Sequence, residues 1–244
     1  MRVLLKISYI GSAYHGWQVQ PNGITVQKVV QEALQTVYKN DNIGVTGCSR
    51  TDAGVHANEF FCHYDVDKFI PETGIVAALN TVLPDDIAAL ECRYVEDSFH
   101  ARYSAKYKNY IYRIYNAEVP DPFEAHRSWH IVRQLDDEKM NKFAKQIIGT
   151  YDFIGFSSSG RTVEDTVRTV TDCSVSREDN IVTLNVTADG FLYNMVRIIV
   201  GTAISVSDGK IDPDNTKEII LSKNRNAAGQ TAPPHGLYLN KVFY

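Results

Sequence analysis

The chain has 244 residues, of which 44% are hydrophobic and 22% are charged, and its formal net charge is −4. This is the composition of an ordinary globular protein, and the length suits two domains of about 100–130 residues. The acidic balance argues against a protein that coats nucleic acid through bulk positive charge, but it leaves room for a local basic groove. No apolar run reaches the roughly 20 residues of a membrane helix, and Lys6 interrupts the short apolar run at the N-terminus, so we expect a cytoplasmic protein.

The first part of the chain predicts the element order β-α-β-β-α-β, which is typical of a ferredoxin-like fold. Alternating patterns and β-branched residues predict strands, and apolar residues at helical spacing predict helices. Strands are predicted at 2–9, 43–46, 58–64 and 86–94, and helices at 25–37 and 71–82, with Thr25 as an N-cap.

The second part again mixes strands and helices, which predicts an α+β fold. Strands are predicted at 107–116, 166–175, 181–188 and 236–243, and helices at 135–148, 191–206 and 214–221. A hairpin turn is predicted at 178–180. The boundary is expected near 98–106, which gives domains at 1–104 and 105–244.

The loop between the second and third strands contains the stretch Arg50-Thr51-Asp52-Ala53-Gly54-Val55-His56. A neighbouring guanidinium keeps an aspartate ionised, and an ionised aspartate can act as a nucleophile or a base. Aspartate is also common in turns, where it stabilises the backbone. The residue types alone leave both interpretations of Asp52 open.

Other kinds of catalytic site have no motif in this chain. The sequence has no glycine-rich phosphate loop, no H-E-x-x-H and no G-x-S-x-G, and its four cysteines lack C-x-x-C spacing. His56 and His63 have no acidic or thiolate partners at the spacing of metal ligands. We therefore expect no metal and no cofactor, and a reaction that needs only protein groups.

Residues 98–115 are both basic and aromatic. They include Arg102, Lys106, Lys108 and Arg113, together with Phe99, Tyr103, Tyr107, Tyr110, Tyr112 and Tyr115. Cations bind phosphates and aromatic faces stack on bases, so this segment favours nucleic-acid binding. In a strand, Lys108, Tyr110 and Tyr112 share one face. The alternative is a central strand with ordinary aromatic packing.

Arg197 lies in the predicted helix at 191–206. At the helical period it is roughly 130° from the centre of the apolar face, which predicts a surface arginine. The alternative is that it faces a cleft between the domains and pairs with a carboxylate.

Taken in order, the motifs resemble those of the tRNA pseudouridine synthase A family. They are Gly16-Trp17-Gln18, Arg50 to Ala57, Phe99-His100-Ala101-Arg102, Tyr110 and Tyr112, Met195 to Gly201, and His235 to Leu239. Cys48-Ser49 and the stretch 106–109 depart from the family pattern.

The resemblance implies a fold, a substrate and a reaction. The fold is α+β, with two ferredoxin-like (RRM-like) halves joined into one extended, mainly antiparallel sheet, helices on one face and a central catalytic cleft. The enzyme is implied to be a homodimer that holds each tRNA across two subunits. It isomerises uridine to pseudouridine at positions 38, 39 and 40 of the anticodon stem-loop, after base flipping and without a cofactor.

The resemblance also implies the roles of individual residues. Asp52 is the nucleophile or base, Arg50 fills the space left by the flipped nucleotide or holds that nucleotide, and Tyr110 stacks on the target uracil. Arg197 is the ion-pair partner of Asp52, against the surface position predicted from periodicity. Phosphate contacts are expected from Arg102, Lys108 and Arg161.

Two other functions compete with this one. A glycosidase with paired carboxylates needs a second acid near Asp52, and Glu59 is the nearest in sequence. A non-catalytic RNA-binding protein explains the aromatic strand but gives Asp52 no role.

Overall fold

The computed structural model describes residues 1–160 and 163–244, which contain ten strands and five α-helices. The strands are β1 (Arg2–Tyr9), β2 (Thr46–Gly47), β3 (His56–Asp65), β4 (Ile87–Val95), β5 (Tyr107–Asn116), β6 (Trp129–Ile131), β7 (Gly149–Asp152), β8 (Val167–Glu178), β9 (Ile181–Ala188) and β10 (Leu237–Phe243). The helices are α1 (Val26–Tyr38), α2 (Glu72–Val82), α3 (Asp137–Ile147), α4 (Met195–Ser207) and α5 (Thr216–Ser222). This mixture confirms the α+β class.

The chain forms two compact units. The first holds residues 1–106 and 238–244, and the second holds residues 107–237. The last strand therefore packs with the first unit, which differs from the predicted domain at 105–244. The reason is that β10 pairs in parallel with β3, where Tyr238 lies opposite His56.

The sheet of the first unit has the ferredoxin-like order that the sequence predicts. β1 lies between β3 and β4 and is antiparallel to both, and β2 pairs with the outer edge of β3. The Thr25 hydroxyl accepts a hydrogen bond from the backbone N–H of Lys28, so the predicted N-cap of α1 is confirmed. The buried apolar side of α1 is formed by Val26, Val30 and Leu34.

The sheet of the second unit has the order β5-β9-β8-β7, antiparallel throughout, with β6 parallel to β5. β8 and β9 form the predicted hairpin, and Asp179 in its turn has a φ of +50°, which aspartate tolerates. β6 and β7 were not predicted, because runs of three and four residues give no clear local pattern. None of the helices in the described part of the chain has the length and apolarity needed to cross a membrane.

Candidate active site

Asp52 lies in a tight turn between β2 and β3. The N–H of Val55 donates to the backbone carbonyl of Asp52 at 3.1 Å, and Gly54 has a φ of +78°, as in a type II turn. Asp52 is thus a turn residue through its backbone, and its side chain is half-buried. Arg50, two residues earlier, is exposed.

A second loop braces this turn from the side. The N–H of Trp17 donates to the carbonyl of Thr51 at 3.1 Å, and the N–H of Gly54 donates to the carbonyl of Tyr14 at 3.2 Å. Gly16 lies between them with a φ of +81°, and a Cβ there would clash with the Thr51 carbonyl oxygen. Only glycine both adopts this positive φ readily and lacks the Cβ that would clash, so Gly16 allows the two backbones to approach each other.

Buried side chains anchor both ends of the turn. The hydroxyls of Tyr9 and Thr51 are 2.9 Å apart and buried, and Nδ1 of His56 accepts from the N–H of Gly11 at 3.0 Å. A Cβ on Gly11 would clash with the carbonyl oxygen of Val55, so this contact is also close-packed. His56 therefore supports the backbone of the loop.

An aromatic contact ties the bracing loop to the core of the first unit. The ring of Trp17 stacks on Phe60 of β3, with ring centroids 4.0 Å apart, and both side chains are almost fully buried. The motif Gly16-Trp17-Gln18 carried the family resemblance in the sequence, but no structural role was predicted for it. The structure shows that this stretch fixes the position of the Asp52 loop.

The other candidates in the first unit lie outside this loop. Arg102 is exposed on the turn that follows β4, and its guanidinium is 5.8 Å from the ring centroid of Tyr103. Glu59, the second acid that a glycosidase would need, forms an ion pair with Lys6 at 3.2 Å. Glu59 therefore has a structural partner within its own sheet.

In the second unit, Tyr110 and Lys108 lie on the same face of β5, as predicted. Tyr110 is only 6% exposed, and its ring meets Phe191 edge-on, with centroids 5.0 Å apart. Lys108 is half-buried and lies opposite Ala188 of β9. The edge-on contact holds the Tyr110 ring in one orientation.

Arg197 is half-buried, unlike the surface arginine that helical periodicity predicts. Its Nε–H donates to the carbonyl of Ala232 at 2.7 Å, and Nη1 donates to Oδ1 of Asn194 at 2.7 Å. The predicted helix was also too long at its start, because Asn194 has a φ of +62° and α4 begins only at Met195. The chain near Ala232 covers the side of α4 that the periodicity assigns to solvent.

We call residues 229–233 the strap, because they run across α4 and hold Arg197. Gly229 donates its N–H to the buried Oγ1 of Thr202 at 2.9 Å, and a Cβ on Gly201 would clash with a carbonyl of the strap. The hydroxyl of Tyr112 donates to the carbonyl of Pro233 at 2.8 Å, and burial raises the pKa of Tyr112, so it stays a donor. The strap was not predicted from the sequence, although a glycine inside a helix, such as Gly201, can have a packing reason.

The structure thus holds Arg50 and Asp52 in one braced loop of the first unit, with Arg102 on another turn of that unit. It holds Lys108 and Tyr110 on one strand face of the second unit, and Arg197 beneath the strap. Arg161 lies outside the described residues. Within 1–160 and 163–244, no three His, Cys, Asp or Glu side chains are grouped to hold a metal ion.

Comparison with known proteins first gives the class of enzyme. A family model described as tRNA pseudouridine synthase matches residues 6–104 and 143–244, which is most of the chain. The protein is therefore an isomerase that acts on uridine in tRNA.

Individual relatives agree over the full length. The chain is 46% identical over 242 residues to tRNA pseudouridine synthase A of Thermoanaerobacter sp. (strain X514), covering 99% of both proteins. It is 43% identical over 245 residues to the protein of that name in Bacillus subtilis (strain 168), covering 100% of this chain and 99% of the relative. The chain belongs to the tRNA pseudouridine synthase family, and the resemblance found in the sequence is confirmed.

Proposed function

We propose that this enzyme forms pseudouridine at positions 38, 39 and 40 of the tRNA anticodon stem-loop, with Asp52 as the catalytic nucleophile or base. The bracing of the Asp52 loop is the observation that carries the proposal. A surface turn needs no such support, whereas a reacting carboxylate must be held to within a fraction of an ångström. Hydrogen bonds from Trp17 and to Tyr14 fix the backbone on either side of Asp52.

The reaction suits a site made of protein groups. The glycosidic bond breaks, the uracil rotates, and C5 of the base bonds to C1′ of the ribose, with no net oxidation or reduction. Attack by Asp52 on C6 or C1′, or removal of the C2′ proton, would each use an ionised carboxylate. A nucleotide in the stem must first leave its helix, at a cost of a few kcal/mol.

Arg50 and Tyr110 are proposed to handle the flipped nucleotide. Arg50 is exposed and two residues from Asp52, so its long side chain can enter the space that the nucleotide leaves. Tyr110 is proposed to stack on the target uracil. Its edge-on contact with Phe191 supports this role, because an immobilised ring loses little entropy when a base stacks on it.

Arg197 is proposed to be the ion-pair partner of Asp52. Its hydrogen bonds to Ala232 and Asn194 support the proposal, because they hold the planar guanidinium in one orientation. An oriented arginine can hold a carboxylate in its ionised form and in a defined position.

The remaining contacts are proposed to be electrostatic. Arg102, Lys108 and Arg161 are proposed to bind tRNA phosphates, and a homodimer is proposed to hold each tRNA across two subunits. Because tRNA is cytoplasmic in bacteria such as those that carry the relatives, we expect the enzyme to act there. Light scattering during size-exclusion chromatography tests the dimer, because the measured molar mass should be twice that of one chain.

A tritium-release assay tests the proposed function. Transfer RNA carrying 5-³H-uridine loses tritium when C5 bonds to C1′, so the wild type should release it. Asp52→Asn keeps the size of the side chain and removes its charge, and should abolish release. Asp41→Asn changes an exposed turn aspartate in the same unit and should release tritium at the wild-type rate.

Transcripts with a single labelled uridine at position 38, 39 or 40 test the sites of modification. Each should release tritium, whereas a transcript labelled only in another arm should not. Release by Asp52→Asn would refute the role of Asp52, and release from the other arm alone would refute the anticodon assignment.

A further inference from the structure

Helix α1 packs on one face of the sheet in the first unit, and aromatic side chains line the other face. Phe60 of β3 stacks on Trp17, and Tyr64 meets Tyr38 of α1 edge-on. Successive residues of a strand point to opposite faces, so Phe61 and its neighbours at every second position point away from α1. This opposite face carries rings that the proposed reaction does not use.

Two strings of rings run over the opposite face. One joins Phe61, Tyr244 and Phe99, with successive centroids 5.3 and 5.0 Å apart, and the other joins His63, His100 and Tyr103, at 4.8 and 4.3 Å. The second string ends in solvent, because the side chain of Tyr103 is 76% exposed.

The turn that presents Tyr103 is rigidly held. The N–H of Ala101 donates to Nδ1 of His63 at 3.1 Å, and the carbonyl of Ala101 accepts from the hydroxyl of Tyr244 at 2.9 Å. The N–H of Tyr103 donates to Nδ1 of His100 at 3.3 Å. The exposure of Tyr103 is therefore a property of a fixed turn and not of a frayed segment.

A second support comes from Arg2 at the start of β1. Its Nη1 donates to the carbonyls of Asp97 and Phe99, at 2.6 and 2.8 Å, while Nε and Nη2 hold both carboxylate oxygens of Asp65. Arg2 thus clamps the start of the turn onto the sheet. It also neutralises the nearby Asp65, which would otherwise repel phosphates.

The tip of the turn combines an aromatic face with a cation. The guanidinium of Arg102 is 5.8 Å from the ring centroid of Tyr103. Nucleobases stack on exposed aromatic rings, and guanidinium groups bind the phosphates beside them. Because the turn is already ordered, stacking there would cost little conformational entropy.

We propose that Tyr103 stacks on an unpaired nucleobase of the bound tRNA, while Arg102 contacts the adjoining phosphate. The base is unpaired because stacking needs a face that no neighbouring base pair covers. It is distinct from the reacting uracil, for which Tyr110 is the proposed partner. The proposal rests on the proposed function, since it takes tRNA as the ligand.

Equilibrium binding of unmodified tRNA to three variants tests the proposal. Tyr103→Ala should weaken binding about tenfold, the typical effect of losing one stacked base. Tyr103→Phe should stay within about twofold of wild type, because the ring face does the stacking. Phe69→Ala is the matched control, since Phe69 is also exposed (61%) and stacked on a neighbouring ring in the same unit, and it should bind like wild type.

The proposed phosphate contact has its own readout. Arg102→Ala should lower the slope of log affinity against log salt by about one, whereas Tyr103→Ala should leave the slope unchanged. An unchanged slope in Arg102→Ala would remove the phosphate contact from the proposal.

Single-turnover tritium release at saturating tRNA separates this proposal from the proposed function. Tyr103→Ala should keep the wild-type rate once tRNA is bound, because its ring does not touch the reacting uridine. Release by Asp52→Asn would refute the catalytic role of Asp52 and leave the binding defect of Tyr103→Ala standing.

Three results would overturn the stacking role. These are wild-type affinity in Tyr103→Ala, an equal loss in Tyr103→Phe, and a changed subunit number in Tyr103→Ala by light scattering. The last result would make the turn a contact between copies of this chain.

Discussion

Gly16 controls the separation between the bracing loop and the loop that carries Asp52. Replacing it with alanine adds a Cβ that clashes with the carbonyl oxygen of Thr51 and lies 3.1 Å from the carbonyl carbon of Asp52. Because a Cβ essentially never comes within 3.0 Å of a heavy atom outside its own residue and its two chain neighbours, the two loops must move apart by several tenths of an ångström. The Asp52 carboxylate would move with its backbone.

The expected effects follow from the backbone angle and from this displacement. Alanine at a φ of +81° costs about 1–2 kcal/mol of folding stability. A displacement of about 1 Å near reacting atoms can reduce a rate about 100-fold, so we expect at least about a tenfold loss for Gly16→Ala.

Gly209→Ala is the matched control. Gly209 also has a positive φ, of +70°, but an added Cβ there meets nothing within 4 Å. This variant should lose a similar amount of stability from backbone strain and keep the wild-type rate. The difference between the two alanine variants isolates the effect of the clash.

Two measurements check the reasoning. Urea unfolding gives the stability of each variant, and single-turnover tritium release at saturating tRNA gives the rate. Wild-type release by a folded Gly16→Ala would refute the claim that the bracing loop positions Asp52. An equal rate loss in Gly209→Ala would show that general destabilisation, and not the clash, slows the reaction.

Three further predictions concern His63, Tyr112 and Arg197. Burial and the nearby Arg2 lower the pKa of His63 from 6.5 to about 4, so the folded state favours the neutral ring. Urea unfolding should therefore show stability falling by about 1–2 kcal/mol, after allowance for screening, as the pH drops from 6.5 to 4, and His63→Asn should flatten this dependence. Tyr112→Phe removes the hydrogen bond to the strap and should cost about 1 kcal/mol of stability in the same assay at pH 7. Arg197→Ala should reduce single-turnover tritium release far more than tRNA affinity, since it removes a positioned charge and not a phosphate contact.

Each of these predictions has a result that contradicts it. For His63, the contradiction is a fall in stability between pH 6.5 and 4 that is as large in His63→Asn as in the wild type. For Tyr112, it is unchanged stability in Tyr112→Phe. For Arg197, it is reduced tRNA affinity with full turnover. The control is Arg133→Ala, which removes an exposed arginine that pairs with Asp208.

The fold was predictable where local pattern and local contacts agree. β5 begins and ends at the predicted residues, because its alternating aromatic and aliphatic side chains fit a half-buried strand. The N-cap of α1 was also predictable, since a cap involves residues only three apart. β6 was missed because its three residues form a strand only through parallel pairing with β5.

In the candidate site, too, features set by nearby residues were predictable and features set by distant contacts were not. The sequence made Asp52 a candidate nucleophile or base, because Arg50 beside it favours an ionised carboxylate, but it left a role as a turn residue equally open. It did not predict the contact between Gly16 and Thr51. These residues are far apart in the chain, and glycine has no side chain that could contribute to a hydrophobic or polar pattern. For Arg197, the helical periodicity predicted an exposed side chain, because periodicity carries no information about the distant segment that covers the helix.

Close backbone contacts at glycines help to set the positions of both proposed catalytic charges, alongside the side-chain contacts described above. Gly16 brings one backbone against the loop of Asp52, and Gly201 brings the strap against the helix that carries Arg197. A backbone contact has no rotamers, so it fixes the position of a neighbouring group more narrowly than a side-chain contact of equal strength. Larger residues at these glycines should therefore slow the reaction by more than their effect on stability alone would suggest.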